Sequence, residues 1–222
     1  MKRLYKRFIR LINPDMQRAG ELYERGRYAQ AAKILKRFGN DANACFTLAT
    51  MYEQGQGVPK NVKAAVNLYF LSAKLGSPHA MMVLGNYMKH GIYMERRQKG
   101  AFLMYKAAAD AGLAEAQFKT GLFYLFGHAG EKDVDSAFYY FEKAAKQGHP
   151  AAQNRLGLLY AGGRGTLRSY EEAVKWYTLA AEQGHGEAMY NLGYMHSMGK
   201  GTKMDNKQAL MWFRKAAKAY GV

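Results

Sequence analysis

At 222 residues, with 49% hydrophobic residues and a formal net charge of +16, the chain is a basic protein of ordinary apolar content. That apolar content excludes a disordered chain, and the single cysteine, Cys45, excludes an internal disulfide. The excess of positive charge favours an acidic partner, although charge alone speaks chiefly to solubility and non-specific attraction.

Residues 1–12 have a basic amphipathic pattern, with apolar side chains on one side of a helix and cations on the other. The cations are Lys2, Arg3, Lys6, Arg7 and Arg10. Charges interrupt the apolar core that a signal peptide needs, and the segment is too short to span a bilayer. Three roles stay open: a cap docked on the rest of the chain, a helix on an anionic membrane surface, or a contact with a partner or nucleic acid.

Residues 13–41 predict an irregular helix pair. Asn13 and Pro14 combine an N-cap residue with a proline suited to the first helical position. Ala31 precedes Ala65 by 34 residues, which is shorter than the spacing found later in the chain. Terminal repeats are usually atypical, so we expect a degenerate capping pair here.

Residues 42–222 contain five copies of a unit of 36 residues. A small residue opens the first half of each copy: Ala44, Ala80, Ala116, Ala152 and Ala188. Another small residue follows five positions on: Ala49, Gly85, Gly121, Gly157 and Gly193. The second half has an aromatic column: Tyr69, Tyr105, Phe141, Tyr177 and Phe213. A fixed period of this size predicts a solenoid.

Each copy is predicted to contain two helices, because apolar residues recur at spacings of three, four, seven and eight residues and do not alternate as in a strand. A glycine suited to a left-handed C-terminal position ends each first helix: Gly55, Gly91, Gly127, Gly163 and Gly199. N-cap residues begin four of the second helices: Asn61, Asp133, Ser169 and Asp205. Arg97 occupies that column in the second copy, where we expect a weaker start.

These columns resemble the Sel1-like repeat, a relative of the tetratricopeptide repeat. The match is densest over residues 152–185, at Ala152, Leu156, Gly157, Tyr160, Gly163, Gly165, Ala173, Trp176, Tyr177, Ala180, Ala181, Gln183 and Gly184. The resemblance implies an all-α, right-handed α/α superhelical solenoid of helix–turn–helix repeats, and adaptor roles in signalling or complex assembly. Tyr93 and Ala129 stand where the second loop glycine is expected, so those loops should differ in shape.

A second stripe on the first helices, opposite the packed stripe, predicts a binding groove. The resemblance implies that first helices line a concave surface, where such residues would form a groove for an extended or helical peptide. The groove residues are Phe46, Met82, Asn86, Phe118, Leu122, Phe126, Asn154, Leu158, Tyr190, Tyr194 and Met198. Asn86 and Asn154 would hold the backbone amides of the peptide. The alternative is that these side chains are buried between neighbouring first helices.

Catalytic and metal sites find little support. The loop glycine pairs lack the strand and the third glycine of a dinucleotide site. His149 and His185 share one repeat column just before a helix, where a capping role is expected. Without a reactive group and a positioned base we expect no enzyme activity, no cofactor and no metal.

The expected function is a cytoplasmic, non-enzymatic scaffold that binds a protein or peptide partner, favoured as acidic because both ends of the chain are basic. The alternative is a polyanion-binding module that uses the basic termini on nucleic acid or on an anionic membrane surface, which would place the protein at the inner membrane face. Weak self-association through the C-terminal repeat also stays open, because no polar capping helix follows it.

Overall fold

The structure is a computed structural model that describes residues 13–128 and 130–221. The predicted basic amphipathic segment and the Ala129 position lie outside the described residues. The described part of the chain forms twelve helices and no strand. None of those helices combines the length and the apolar character that crossing a membrane requires.

The helices follow one another in pairs. The first pair is α1 (Pro14–Glu24) with α2 (Tyr28–Leu35). The later pairs each occupy one repeat and are α3 (Ala42–Gln54) with α4 (Val62–Lys74), α5 (Pro78–His90) with α6 (Gln98–Asp110), α7 (Ala114–Phe126) with α8 (Val134–Lys146), α9 (Pro150–Gly162) with α10 (Tyr170–Glu182), and α11 (Gly186–Met198) with α12 (Asn206–Tyr220). This all-α solenoid of helix–turn–helix repeats confirms the predicted fold class.

The helix boundaries confirm the predicted caps. The side chains of four predicted N-cap residues accept backbone N–H groups of the following turn: Asn61, Asp133, Ser169 and Asp205. The five predicted C-terminal glycines all have left-handed backbone, with φ between 62° and 73°. Arg97, which stands in the N-cap column of the second repeat, forms an ion pair with Glu95, with its guanidinium 3.0 Å from the carboxylate.

The chain divides into two compact units, unit 1 (Met1–Ala108) and unit 2 (Ala109–Val222). In unit 1, Tyr69 and Tyr87 are buried around Glu53, whose carboxylate accepts hydrogen bonds from the two hydroxyls at 2.9 and 2.5 Å. Burial and the neighbouring carboxylate raise the pKa of both tyrosines. Gly85 leaves room for the next aromatic residue, because an ideal Cβ there would lie 2.6 Å from the Tyr105 ring.

Unit 2 repeats this glycine–aromatic packing. An ideal Cβ on Gly157 would lie 2.6 Å from the Tyr177 ring, and one on Gly193 would lie 2.8 Å from the Phe213 ring. Since the glycine and the ring belong to the two helices of one repeat, the missing side chain allows each pair to pack closely. The buried alanines of the second helices complete this core: Ala137, Ala144, Ala145, Ala173, Ala180, Ala181, Ala209 and Ala216.

The loops inside the repeats press against the preceding helix pair. Gly57 has φ of 66°, and an ideal Cβ there would lie 2.3 Å from the backbone nitrogen of Ala29. Tyr93 occupies the equivalent place in the next repeat and keeps the same left-handed backbone, with φ of 59°. The expected change of loop shape at Tyr93 is therefore wrong for its backbone. Its ring packs edge-on against Tyr87, with centroids 5.3 Å apart, which helps to hold this unusual conformation.

Candidate partner-binding face

The predicted groove residues of unit 1 are half-buried and engaged with their own helix pairs. The Phe46 ring lies 5.6 Å from that of Tyr69 and 6.0 Å from that of His79. Asn86, predicted to hold a partner's backbone, accepts a hydrogen bond from the Tyr105 hydroxyl at 2.8 Å through Oδ1. Met82 is also half-buried. In this unit the stripe mainly joins first helices to second helices.

On α7 the stripe changes from packed to exposed along the helix. Phe118 stacks on the His149 ring at 4.8 Å, and Leu122 packs against the buried cluster around Phe141. Phe126, at the end of the helix, is half exposed and stacks on His128 with centroids 5.5 Å apart. Of these three predicted residues, only Phe126 is therefore exposed, with half of its surface open to solvent.

On α9 both predicted residues pack inward. The Asn154 side chain has no exposed surface, and its Oδ1 accepts a hydrogen bond from Asn191 of α11 at 2.9 Å. Leu158 is half-buried against the cluster of α10 and α11. Asn154 is thus out of reach of a partner unless the α9–α11 contact opens. Asn191 is the member of this amide pair that reaches the surface.

On α11 the stripe is open to solvent. Tyr190, Tyr194 and Met198 are 55%, 43% and 53% exposed, and they follow one another at four-residue spacing. Residues four apart lie above one another on a helix, so the three side chains form one apolar row. We name these three residues the α11 face. The Tyr190 ring packs against the Phe213 ring, with centroids 5.3 Å apart.

A lysine lies at one end of the α11 face. The ammonium group of Lys200 is 5.3 Å from the ring centroid of Tyr194 and 5.7 Å from that of Tyr170. Its Nζ is also 3.5 Å from the Tyr194 hydroxyl. A cation held over two aromatic rings is positioned for an anionic group that binds beside them.

Polar residues that sequence reasoning missed lie beside the same face. Arg155 of α9 lies 3.5 Å from Glu187 of α11, and Asn191 joins the two helices as described above. Their sequence positions could have indicated them, because Arg155 and Asn191 each directly follow a residue of the predicted stripe. These groups give the apolar row a hydrogen-bonding side.

Two histidines cap helices beside this region, as predicted. Nδ1 of His149 accepts the Ala152 N–H, and Nδ1 of His185 accepts the Ala188 N–H, each at 3.2 Å. Burial is the largest influence on His185 and lowers its pKa. Nε2 of His149 lies 2.8 Å from the Glu115 carboxylate, and hydrogen bonds from His149 and Lys119 lower the pKa of Glu115 to about 2.

Glu187, the acid of α11, is paired with Arg155, and Glu115 of α7 is paired with Lys119 and His149. Across residues 13–128 and 130–221, no three histidine, cysteine or acidic side chains converge as metal ligands would. The arrangement offers apolar and aromatic surface, one held ammonium group and amide hydrogen bonds.

A model of the Sel1 repeat family matches five consecutive segments of this chain: residues 42–77, 78–113, 114–149, 150–185 and 186–220. These segments agree with the period and the register predicted from the sequence. No curated protein matches the chain.

Solved structures with similar folds include two Sel1-type proteins. The Sel1 repeat protein from Oxalobacter formigenes superposes with a TM-score of 0.83 at 28% identity, over 93% of this chain and 83% of that chain. The protein c5321, a protective antigen of uropathogenic Escherichia coli with an SLR fold, gives a TM-score of 0.78 at 32% identity, over 85% of this chain and 41% of that chain. The immunity protein PA5088 from Pseudomonas aeruginosa shares the fold at a TM-score of 0.53 and 19% identity.

Proposed function

We propose, since the chain belongs to the Sel1 repeat family, that it is a non-enzymatic scaffold which binds a peptide segment of a partner protein on the α11 face. Repeat proteins of this kind present rows of side chains instead of a single reactive centre. The peptide would place apolar side chains on Tyr190, Tyr194 and Met198, and an acidic group near Lys200.

The observation that carries this proposal is the exposure of three consecutive stripe positions on one helix. Tyr190, Tyr194 and Met198 are each about half exposed, whereas Asn154 and Leu158 in the preceding repeat pack inward. The row spans about 12 Å at 1.5 Å per residue, which is long enough for two turns of a partner helix. Tyrosine is enriched among the residues that dominate binding energy, because its rigid ring buries much surface at little entropic cost.

The polar surroundings indicate the chemistry of the partner. Lys200 is held by two rings and is the cation of this face without a carboxylate neighbour among the described residues, while Arg155 is joined to Glu187. A peptide with an acidic residue one turn away from its apolar anchors would satisfy the lysine. Asn191 would offer its surface-facing amide to the peptide backbone.

The test is a selection from a peptide-display library on the purified full chain, followed by fluorescence polarisation with the selected peptides. The variant Tyr190→Ser/Tyr194→Ser should weaken binding by at least about 30-fold, since each ring is expected to be a main anchor. The matched control is Tyr139→Ser on α8, because Tyr139 is 48% exposed but lies outside the stripe. Equal loss in the control, or unchanged affinity in the double variant, contradicts the proposal.

Salt provides an independent reading of the same titrations. Binding that depends on apolar anchors should change little between low and moderate salt, whereas binding through many phosphate contacts falls by roughly a thousandfold or more. A collapse of the peptide affinity with salt would favour the polyanion-binding alternative and count against the α11 face.

A further inference from the structure

Three connections of unit 1 lie side by side on one edge. The Tyr23 hydroxyl donates to Oε1 of Gln56 at 3.2 Å, which places the end of α1 against the loop that follows α3. The Tyr87 hydroxyl reaches Glu53, which brings the ends of α3 and α5 together. We name the turn 25–27, the loop 55–61 and the loop 91–97, with the helix residues next to them, the loop edge.

The loop edge holds most of the positive charge of the described part of unit 1. Its cations are Arg25, Arg27, Lys60, Lys63, Lys89, Arg96, Arg97 and Lys99. Its acids are Glu24, Glu53 and Glu95, so the edge has a formal charge of +5, compared with +8 for all of residues 13–108. Arg97 is paired with Glu95. Seven exposed cations and the half-buried Lys89 therefore form one basic surface.

Two apolar side chains stand among these cations. Ile92 and Tyr93 are 40% and 51% exposed at the start of the loop 91–97. Tyr93 keeps a left-handed backbone that L-residues rarely adopt, at the position that Gly57 occupies in the preceding repeat. Its ring packs edge-on against Tyr87, and about half of the Tyr93 surface stays open to solvent. An amphipathic ring beside an exposed aliphatic side chain suits the boundary between headgroups and acyl chains.

We propose that the loop edge of unit 1 binds an anionic lipid surface, with Ile92 and Tyr93 entering the headgroup region and the surrounding cations contacting lipid phosphates. Cations alone would fit any polyanion, but a nucleic-acid backbone gives an exposed isoleucine no apolar contact. A lipid surface satisfies both kinds of side chain. Residues 1–12 have a basic amphipathic sequence, and stable attachment to a bilayer usually takes two such signals.

The test is co-sedimentation of the full chain with vesicles of phosphatidylcholine, with or without phosphatidylglycerol. Wild-type protein should bind the anionic vesicles and should be released by salt. The variant Lys63→Gln/Arg96→Gln/Lys99→Gln should lower the partition coefficient by about 100-fold. The control Lys33→Gln/Lys74→Gln/Lys218→Gln removes the same charge from exposed positions elsewhere and should bind nearly as well as wild type.

A second variant tests the apolar part of the proposal. Ile92→Ser/Tyr93→Gly should reduce binding about tenfold, since two exposed apolar groups no longer enter the interface. Glycine accepts the left-handed backbone of Tyr93, so this variant should keep its fold, which its circular dichroism spectrum checks.

Three outcomes would overturn the proposal. The first is a loop-edge charge variant that binds anionic vesicles as well as its control does. The second is an apolar variant with wild-type affinity, because the edge would then act as a general polyanion site. The third is tighter binding to a single-stranded oligonucleotide than to vesicles, with the same sensitivity to the charge variant. None of these measurements involves the α11 face, so they leave the peptide-binding proposal untouched.

Discussion

At the scale of single residues, the position that faces each second-helix ring sets how closely the two helices of a repeat approach. Glycine stands there in four repeats, and Ala49 stands there in the first, opposite Tyr69. In the first repeat, therefore, a methyl group fits between the first helix and the Tyr69 ring. In the other repeats the ring occupies the space that a Cβ would need.

Gly157→Ala should destabilise the protein by about 1–3 kcal/mol, because its Cβ would lie 2.6 Å from the Tyr177 ring in a core that resists overpacking. Gly162→Ala is the matched control in the same helix, where the nearest atom is the flexible Arg164 side chain at 3.4 Å. It should be neutral or stabilise by up to about 1 kcal/mol, as alanine favours the helix. Urea unfolding followed by tryptophan fluorescence measures both, and equal effects would contradict the packing argument.

A glutamine pair recurs inside two repeats of unit 2. Gln183 donates to Gln153 at 2.7 Å, and Gln147 donates to Gln117 at the same distance. The buried partner in each pair then donates to a backbone carbonyl on the second helix of the preceding repeat, as Gln153 does to Ala145 and Gln117 does to Ala109, both at 3.2 Å. The glutamine of the family pattern therefore has a structural role that periodicity alone did not reveal.

Gln153→Met should cost about 1–3 kcal/mol, since it leaves polar groups beside it without their partner. Adding Gln183→Ala should recover much of that loss, because the fifth repeat has Met189 and Ala219 at these two places. A double-mutant cycle on the free energy of unfolding checks this coupling. Additive effects of the two substitutions would show that the pair contributes nothing specific.

At the scale of elements, two helices of unit 2 begin at a histidine that must be neutral on Nδ1 to accept a backbone N–H. Protonation of His185 would remove that acceptor and place a cation at the positive end of a helix. Burial, with Arg155 and His149 nearby, lowers the pKa of His185, while Glu187 acts in the opposite direction. The cap therefore links helix stability to pH.

The stability contributed by His185 is present above its unfolded pKa of about 6.5 and is lost as the pH falls below that value, because the unfolded chain binds the proton first. We expect the free energy of unfolding to decrease between about pH 7 and pH 5. His185→Asn keeps a capping oxygen without the titration and should flatten this dependence. His90→Asn, at an exposed histidine, is the control, and identical pH profiles for both variants would contradict the assignment.

Much of the element scale could be predicted from the sequence, because caps and periodic small residues act locally. Asn61 and Gly163 needed only their own helix to be assigned correctly. The exposure of the stripe residues was harder to predict, because their positions are equivalent in the repeat but their neighbours in the fold differ. Asn86 bonds a tyrosine hydroxyl and Asn154 lies under α11, and both outcomes depend on residues far along the chain.

At the scale of the whole molecule, charge is distributed unequally along the chain. Residues 1–108 have a formal charge of +13, and residues 109–222 have +3. The described ion pairs are largely surface pairs, which contribute little individually. Repulsion among like charges is therefore expected to outweigh their attraction at low salt.

Sodium chloride should accordingly raise the melting temperature by a few degrees between low and physiological ionic strength, because screening weakens the repulsion. Differential scanning calorimetry at neutral pH provides the measurement. Sulfate is avoided because it stabilises folded proteins by exclusion from their surface. A melting temperature that falls with added chloride would mean that attractive pairs dominate.

The lone thiol of the chain has one more consequence. Cys45 is buried where α2 meets α3, and its Sγ lies 3.2 Å from the carbonyl oxygen of Gly39. Burial, and secondarily Asp41, raises its pKa, so it resists alkylation while the junction stays closed. A sulfhydryl reagent would therefore act as a clock for the opening of that junction, and its rate would give the local free energy of opening without any engineered label.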